Sequence, residues 1–158
     1  MTREVLLQIN YPGDCISVNH YLGKRKGGGY YVKPETKAWK EEFQWLLKKC
    51  HLEEFRLPLE ITCSGWFKNE RSAPDVHNLL KVIADSIQEL TGINDKNYLM
   101  YAGERNIIGN KELPYLLITI REATPSVKMA RNGVFQGASG TEGVGVVELP
   151  KQKKKGLK

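Results

Sequence analysis

Leu59-Glu60-Ile61-Thr62-Cys63-Ser64-Gly65-Trp66-Phe67, a polar loop, and then residues 76–90, VHNLLKVIADSIQEL, form the stretch that decides the fold. In the first part, Leu59, Ile61, Cys63, Gly65 and Phe67 alternate with Glu60, Thr62, Ser64 and Trp66, the period of a half-buried strand. In the second, Leu79, Leu80, Ile83, Ile87 and Leu90 recur at helical spacing, and Gly92 supplies a C-terminal stop. A half-buried strand followed by an amphipathic helix is the pattern of a mixed α/β sheet with helices packed on it.

The rest of the chain extends this reading in both directions. Trp39, Phe43, Leu46, Leu47 and Cys50 form a second helical pattern, with Lys40, Glu41 and Lys48 on its other side. Pro34 suits the first turn of that helix, where its missing N–H is not needed. Glu4 to Asn10 reads as a strand ended by Pro12-Gly13, and Tyr30-Tyr31-Val32 as a short one. Ser17 to Gly29 has no periodicity and closes on Lys24-Arg25-Lys26-Gly27-Gly28-Gly29, read as a basic, flexible loop. Tyr98 to Ile108 and Leu113 to Arg121 are two further strands joined at Gly109-Asn110-Lys111. The expected order is ββαβαββ. That is an α/β (α+β) domain over residues 1–122, with a mixed sheet and two main helices. After Glu122 the pattern dissolves into Gly, Ser and Thr and ends in Lys151-Gln152-Lys153-Lys154-Lys155-Gly156-Leu157-Lys158. Residues 123–158 are therefore expected to be a flexible basic tail.

Composition narrows the function class. A hydrophobic content of 41% with 27% charged residues fits a soluble globular protein. No apolar run reaches the roughly 20 residues of a membrane span. Met1-Thr2-Arg3-Glu4-Val5 lacks the pattern of a secretory signal. Cys15, Cys50 and Cys63 are odd in number and widely spaced, which suits reduced thiols in the cytoplasm. The net charge of +6 hides an imbalance. Residues 1–122 carry 17 Lys and Arg against 16 Asp and Glu, and residues 123–158 carry 7 against 2. Overall charge therefore gives little support to DNA binding by the body of the chain.

The chemistry concentrates at Asp75, His77, Asn78, Lys81, Asp85 and Asp95. Asn78, Lys81, Asp85 and Glu89 share one side of the second helix, while Asp75 precedes it and His77 lies in its first turn. Each has a plain alternative: Asp75 as an N-cap, Lys81 and Asp85 as an i, i+4 ion pair, His77 as a surface histidine, Asn94-Asp95 as a turn. One divalent-cation site would account for all of them together. Carboxylates, water and a phosphate oxygen suffice for Mg²⁺. Such an ion polarises a phosphoryl group, and an ammonium such as Lys81 can balance the charge that develops there.

Asp-x-x-Asn-x-x-Lys-x-x-x-Asp at 75–85, followed by a glycine and an x-Asp loop, resembles the RusA family of Holliday junction resolvases. Tyr11-Pro12 with Ser17-Val18-Asn19-His20-Tyr21, and the segment from Tyr30 to Trp39, are similar to that family's N-terminal half. The resemblance spans about residues 4–122. It implies a phage- or prophage-type endonuclease of recombination and repair that cuts four-way DNA junctions as a homodimer. By position, Asp75 and Asp95 resemble the metal-binding carboxylates, Lys81 the essential lysine and Asn78 the helix-start asparagine. His77 and Asn94 stand where the family usually has acids. With His77 as a ligand beside Asp75 and Asp95, Mn²⁺ is expected to serve better than Mg²⁺.

Backbone contacts to DNA are expected from Lys24, Arg25 and Lys26 on the glycine-rich loop, from Lys68 and Arg71 just before Asp75, and from Asn78. Two other readings stay open: a junction-binding protein with weak or lost catalysis, and a nuclease for other branched nucleic acids.

Overall fold

The computed structural model describes residues 2–123. Six strands and two helices follow in the order β1 (Glu4–Asn10), β2 (Leu22–Lys24), β3 (Tyr30–Val32), α1 (Pro34–Lys48), β4 (Leu59–Phe67), α2 (Leu80–Thr91), β5 (Tyr98–Ile107) and β6 (Tyr115–Glu122). Four strands make a mixed sheet in the order β1-β6-β4-β5. β6 runs antiparallel to both neighbours, while β4 and β5 are parallel and joined through α2, as the length of that crossover allows.

The alternation in β4 is realised in full. Leu59, Ile61, Cys63 and Phe67 are buried on the face that meets the helices, with Leu116, Ile118 and Ile120 of β6 beside them. Trp39, Phe43 and Leu47 of α1 and Val82, Ile83 and Ile87 of α2 complete this core. Each large side chain withdrawn there from water is worth about 1.5–3 kcal/mol. The buried face of α2 includes Val82 and Ser86, while Leu80 and Leu90 stay half-exposed, so it is rotated slightly from the face expected. Its helical turns also begin differently. Val76–Leu79 is a 3₁₀ turn and the α-helix starts at Leu80, with Gly92 in the left-handed conformation (φ 77°) closing it.

One element expected as structureless is ordered. Leu22–Lys24 forms β2 and pairs antiparallel with β3, so Lys24-Arg25-Lys26-Gly27-Gly28-Gly29 is the end of a hairpin and not a free loop. The strand order is therefore ββ-β-α-β-α-β-β, with one more strand than expected. Gly27, Gly28 and Gly29 all have positive φ, which lets the chain reverse there. Arg25 binds the Tyr30 carbonyl through Nε (3.3 Å) and lies over the Tyr31 ring (5.8 Å). Apart from Ala123, the expected basic tail lies outside the described residues.

Candidate active site

The end of β4 leads through residues 68–74 to Asp75, which caps the 3₁₀ turn. Asp75 Oδ1 accepts the His77 backbone N–H at 3.0 Å and lies 3.2 Å from His77 Nδ1. The N-cap alternative is thus realised, yet it uses only one carboxylate oxygen, and the side chain is exposed. The His77 backbone bond, then the imidazole, hold the Asp75 carboxyl below its usual range, with Arg105 adding to the effect. A proton on His77 Nδ1 donated to Asp75 leaves Nε2 an outward-facing acceptor, the arrangement in which a carboxylate orients a ligating imidazole.

Lys81 and Asp85 form the i, i+4 pair expected of the plain alternative, at 3.4 Å and with both side chains partly exposed. Glu89 turns the other way and binds Lys40 of α1 at 2.6 Å. Asp95 sits in a 3₁₀ turn after Gly92. Its backbone N–H donates to Gln88 Oε1 at 2.9 Å, and its exposed carboxylate has no partner among the described residues. Asn94 has a job of its own: Oδ1 accepts from the Lys96 N–H at 2.9 Å and caps that turn.

The N-terminal segment reaches the same place. Val18 N–H donates to the Asn78 carbonyl at 2.7 Å, which joins the Ser17–Tyr21 segment to the turn carrying His77. Between them lies an open cleft of about 410 Å³ whose walls include Asn19, His20, Arg71 and Asn78. The family model described as endodeoxyribonuclease RusA matches residues 12–121, a span that takes in the cleft, the helix and the Asp95 turn. The chain belongs to the RusA family. RusA endonucleases resolve Holliday junctions. No curated protein matches the chain.

Of the basic residues expected to meet DNA in this RusA chain, Lys24, Lys26, Lys68 and Arg71 have exposed side chains without an ion pair among the described residues. Arg25 is committed to its own hairpin. Exposed tyrosines flank the hairpin, Tyr30 and Tyr31, at 61% and 41%. Thiol chemistry has no support: Cys15 and Cys63 are buried, Cys50 half-buried, and burial raises all three thiols, Cys63 to about 12.

Two features were not apparent from residue types. Asp75, His77 and Asp95 do not form a group with ligand atoms within 4.8 Å of one another. Among the described residues only His51, Glu53 and Glu54 do, exposed and on the α1–β4 connection. The other feature is Arg105 of β5, which binds the carbonyls of Pro74 (3.0 Å), Ala73 (3.1 Å) and Glu70 (3.4 Å) and the Glu70 carboxylate (2.9 Å). The only cue in the sequence was a lone cation within the strand read at Tyr98 to Ile108.

Proposed function

We propose that this RusA-family endonuclease hydrolyses junction phosphodiesters at Asp75, His77 and Asp95, using Mg²⁺ or Mn²⁺, with Lys81 beside them. The observation that carries the reading is Asp75 itself. It is an exposed carboxylate kept ionised, with one oxygen engaged by His77 and the other without a partner among the described residues. A carboxylate pair and an imidazole are a donor set suited to a divalent cation, Mn²⁺ above all. When bound, such an ion lowers the pKa of water and polarises the phosphoryl oxygens.

The residues of the chain have separable tasks. Asp75 holds His77 in the tautomer that faces outward. Asp95 arrives from the other end of α2 with its carboxylate unengaged. Lys81 exchanges Asp85 for the phosphate, whose charge grows as the bond breaks. Lys68 and Arg71 hold the backbone on one flank, Asn78 lines the cleft on the other, and Lys24 and Lys26 extend the contact through the hairpin, whose shape Arg25 holds. Two symmetric cuts need two sites, so the active species is a twofold homodimer on a four-way junction. It works on the DNA of a bacterial or phage-infected cell.

The deciding experiment is cleavage of a synthetic four-way junction with Mg²⁺ or Mn²⁺. Paired, symmetric nicks are expected, reduced at least 100-fold in Asp75→Asn while junction binding persists. Asp75→Asn cutting like the wild type would remove this site. One observation favours a second reading, junction binding with weak catalysis: Asn94 is committed to its cap and the three donors are not gathered in the free chain. Tight junction binding in EDTA with no cutting in either metal would establish that reading instead.

A further inference from the structure

The strand that carries Arg105 changes face just before it. Tyr98, Met100 and Ala102 stand opposite Leu59, Ile61 and Cys63, so even-numbered residues of β5 face the helices. Beyond Cys63 the register shifts, and Arg105 and Ile107 stand opposite Gly65 and Phe67, so odd-numbered residues now face that side. One extra residue in β5 has reversed the alternation, as a bulge does. Without it, Glu104 would face the helix side and Arg105 the open side of the sheet.

Two residues build the bulge. Ser64 Oγ accepts from the Glu104 N–H at 3.0 Å, replacing a ladder bond the bulge disrupts. Gly103 lets the two strands approach, since a side chain there would overlap the Ser64 hydroxyl. The product is an arginine whose donors meet three carbonyls of one loop, those of Glu70, Ala73 and Pro74, and the Glu70 carboxylate. The loop contributes its own turn: Asn69 Oδ1 accepts from the Ser72 N–H at 2.8 Å, and the Asn69 carbonyl accepts from Ala73. The last carbonyl Arg105 grips, Pro74, belongs to the residue bonded to Asp75.

We propose that Arg105 is a positioning residue, re-aimed by the Ser64–Gly103 bulge to fix the backbone of residues 70–74 and thereby the carboxylate of Asp75. The proposal rests on the reading of Asp75 as a metal-binding carboxylate. The donors of Arg105 are taken up by residues 70–74. The residue acts by keeping Asp75 in one orientation relative to α2, so that ordering the site costs less when the cation arrives. Lys68 and Arg71 ride on the same loop, and their spacing from Asp75 is set by the same grip. A lysine at 105 can reach one carbonyl or the carboxylate, but not the whole set, because only guanidinium has a planar fork of donors.

The test compares the full-length wild type with Arg105→Gln and Arg105→Lys by three measurements. The first is hydrogen–deuterium exchange, the second Mn²⁺ affinity without DNA, and the third kcat and KM on a four-way junction. In Arg105→Gln, exchange is expected to quicken about 10-fold over residues 69–79 and to stay unchanged in β4 and β6. Mn²⁺ affinity falls about 10-fold and kcat about 10- to 100-fold, the range for losing a group that orients a metal ligand, with a smaller change in KM. Arg105→Lys recovers part of each loss. Unchanged exchange over residues 69–79, or unchanged Mn²⁺ affinity, overturns the proposal. Exchange quickened throughout the chain also overturns it, since Arg105 would then support the fold at large. A wild type that neither binds Mn²⁺ nor cuts overturns the functional reading, and the exchange comparison alone then decides whether Arg105 holds the segment.

Discussion

His77 is one of two positions, with Asn94, at which this chain departs from the carboxylate-rich pattern that it resembles, and its surroundings give the departure a chemical sense. An aspartate at 77 would place a second negative charge against Asp75. The imidazole instead sets Nδ1 3.2 Å from the Asp75 carboxylate and, in the function proposed above, supplies Nε2 as a softer donor. The outcome expected is faster junction cutting in Mn²⁺ than in Mg²⁺, with the gap narrowed in His77→Asp. Initial rates over a titration of each metal would show it, and an unchanged preference in the variant would remove His77 from the ligand set. Asn94 has a different explanation. Its amide oxygen accepts from the Lys96 N–H and caps the turn that presents Asp95, a backbone task that accounts for the residue by itself. Nothing in residue type separates these two cases, because both read as a missing acid. Only the atom each side chain faces tells them apart.

At the scale of elements, what could be read was what repeats. The nine residues of β4 alternate without a break, and both helices carry their apolar stripes, so their existence and order followed from spacing. What could not be read depended on a single partner far along the chain. β2 has three residues, Leu22-Gly23-Lys24, too few for a pattern, and it is a strand only because β3 pairs with it. The face of Arg105 depends on a hydroxyl of β4. Glu122 is a third example: it ends β6 and is buried, although a charged residue at a strand end reads as surface. Burial alone would raise its carboxyl. The backbone N–H groups of Arg56 (2.8 Å) and Arg3 (3.3 Å), with both guanidinium groups, outweigh that and hold it below the usual range. A carboxyl depressed in the folded state stabilises the fold above its unfolded pKa and loses that contribution as pH falls through its folded value. Glu122→Gln is therefore expected to lower the free energy of unfolding by about 1–2 kcal/mol at pH 7. The difference from wild type shrinks on acidification below about pH 4. Urea unfolding at pH 7 and at acid pH would measure both, and an equal difference at both would refute the electrostatic account.

Over the whole molecule, charge is divided in a way that separates two kinds of DNA binding. Residues 1–122 are close to neutral, 17 cationic against 16 acidic side chains, so a general attraction to DNA cannot come from their sum. What they have is local: Lys68 and Arg71 on the loop before Asp75, and Lys24 and Lys26 at the hairpin, unpaired among the described residues. Fixed local positions of this kind are expected to meet one path of phosphates, as suits a substrate defined by shape. Residues 123–158 carry 7 cationic against 2 acidic side chains in a sequence without apolar periodicity, which suits attraction to any duplex. A chain ended at Ala123 is thus expected to lose non-specific affinity while retaining its preference for junctions. Each phosphate neutralised adds about 0.9 to the slope of log affinity against log salt, so five net charges correspond to a fall of about 4.5 in that slope. Duplex and junction binding measured from low to moderate salt, beside cleavage at saturating protein, would resolve the two contributions. The duplex slope should fall by several units and saturated cutting should stay within about threefold. An unchanged duplex slope would place the general attraction on the body after all.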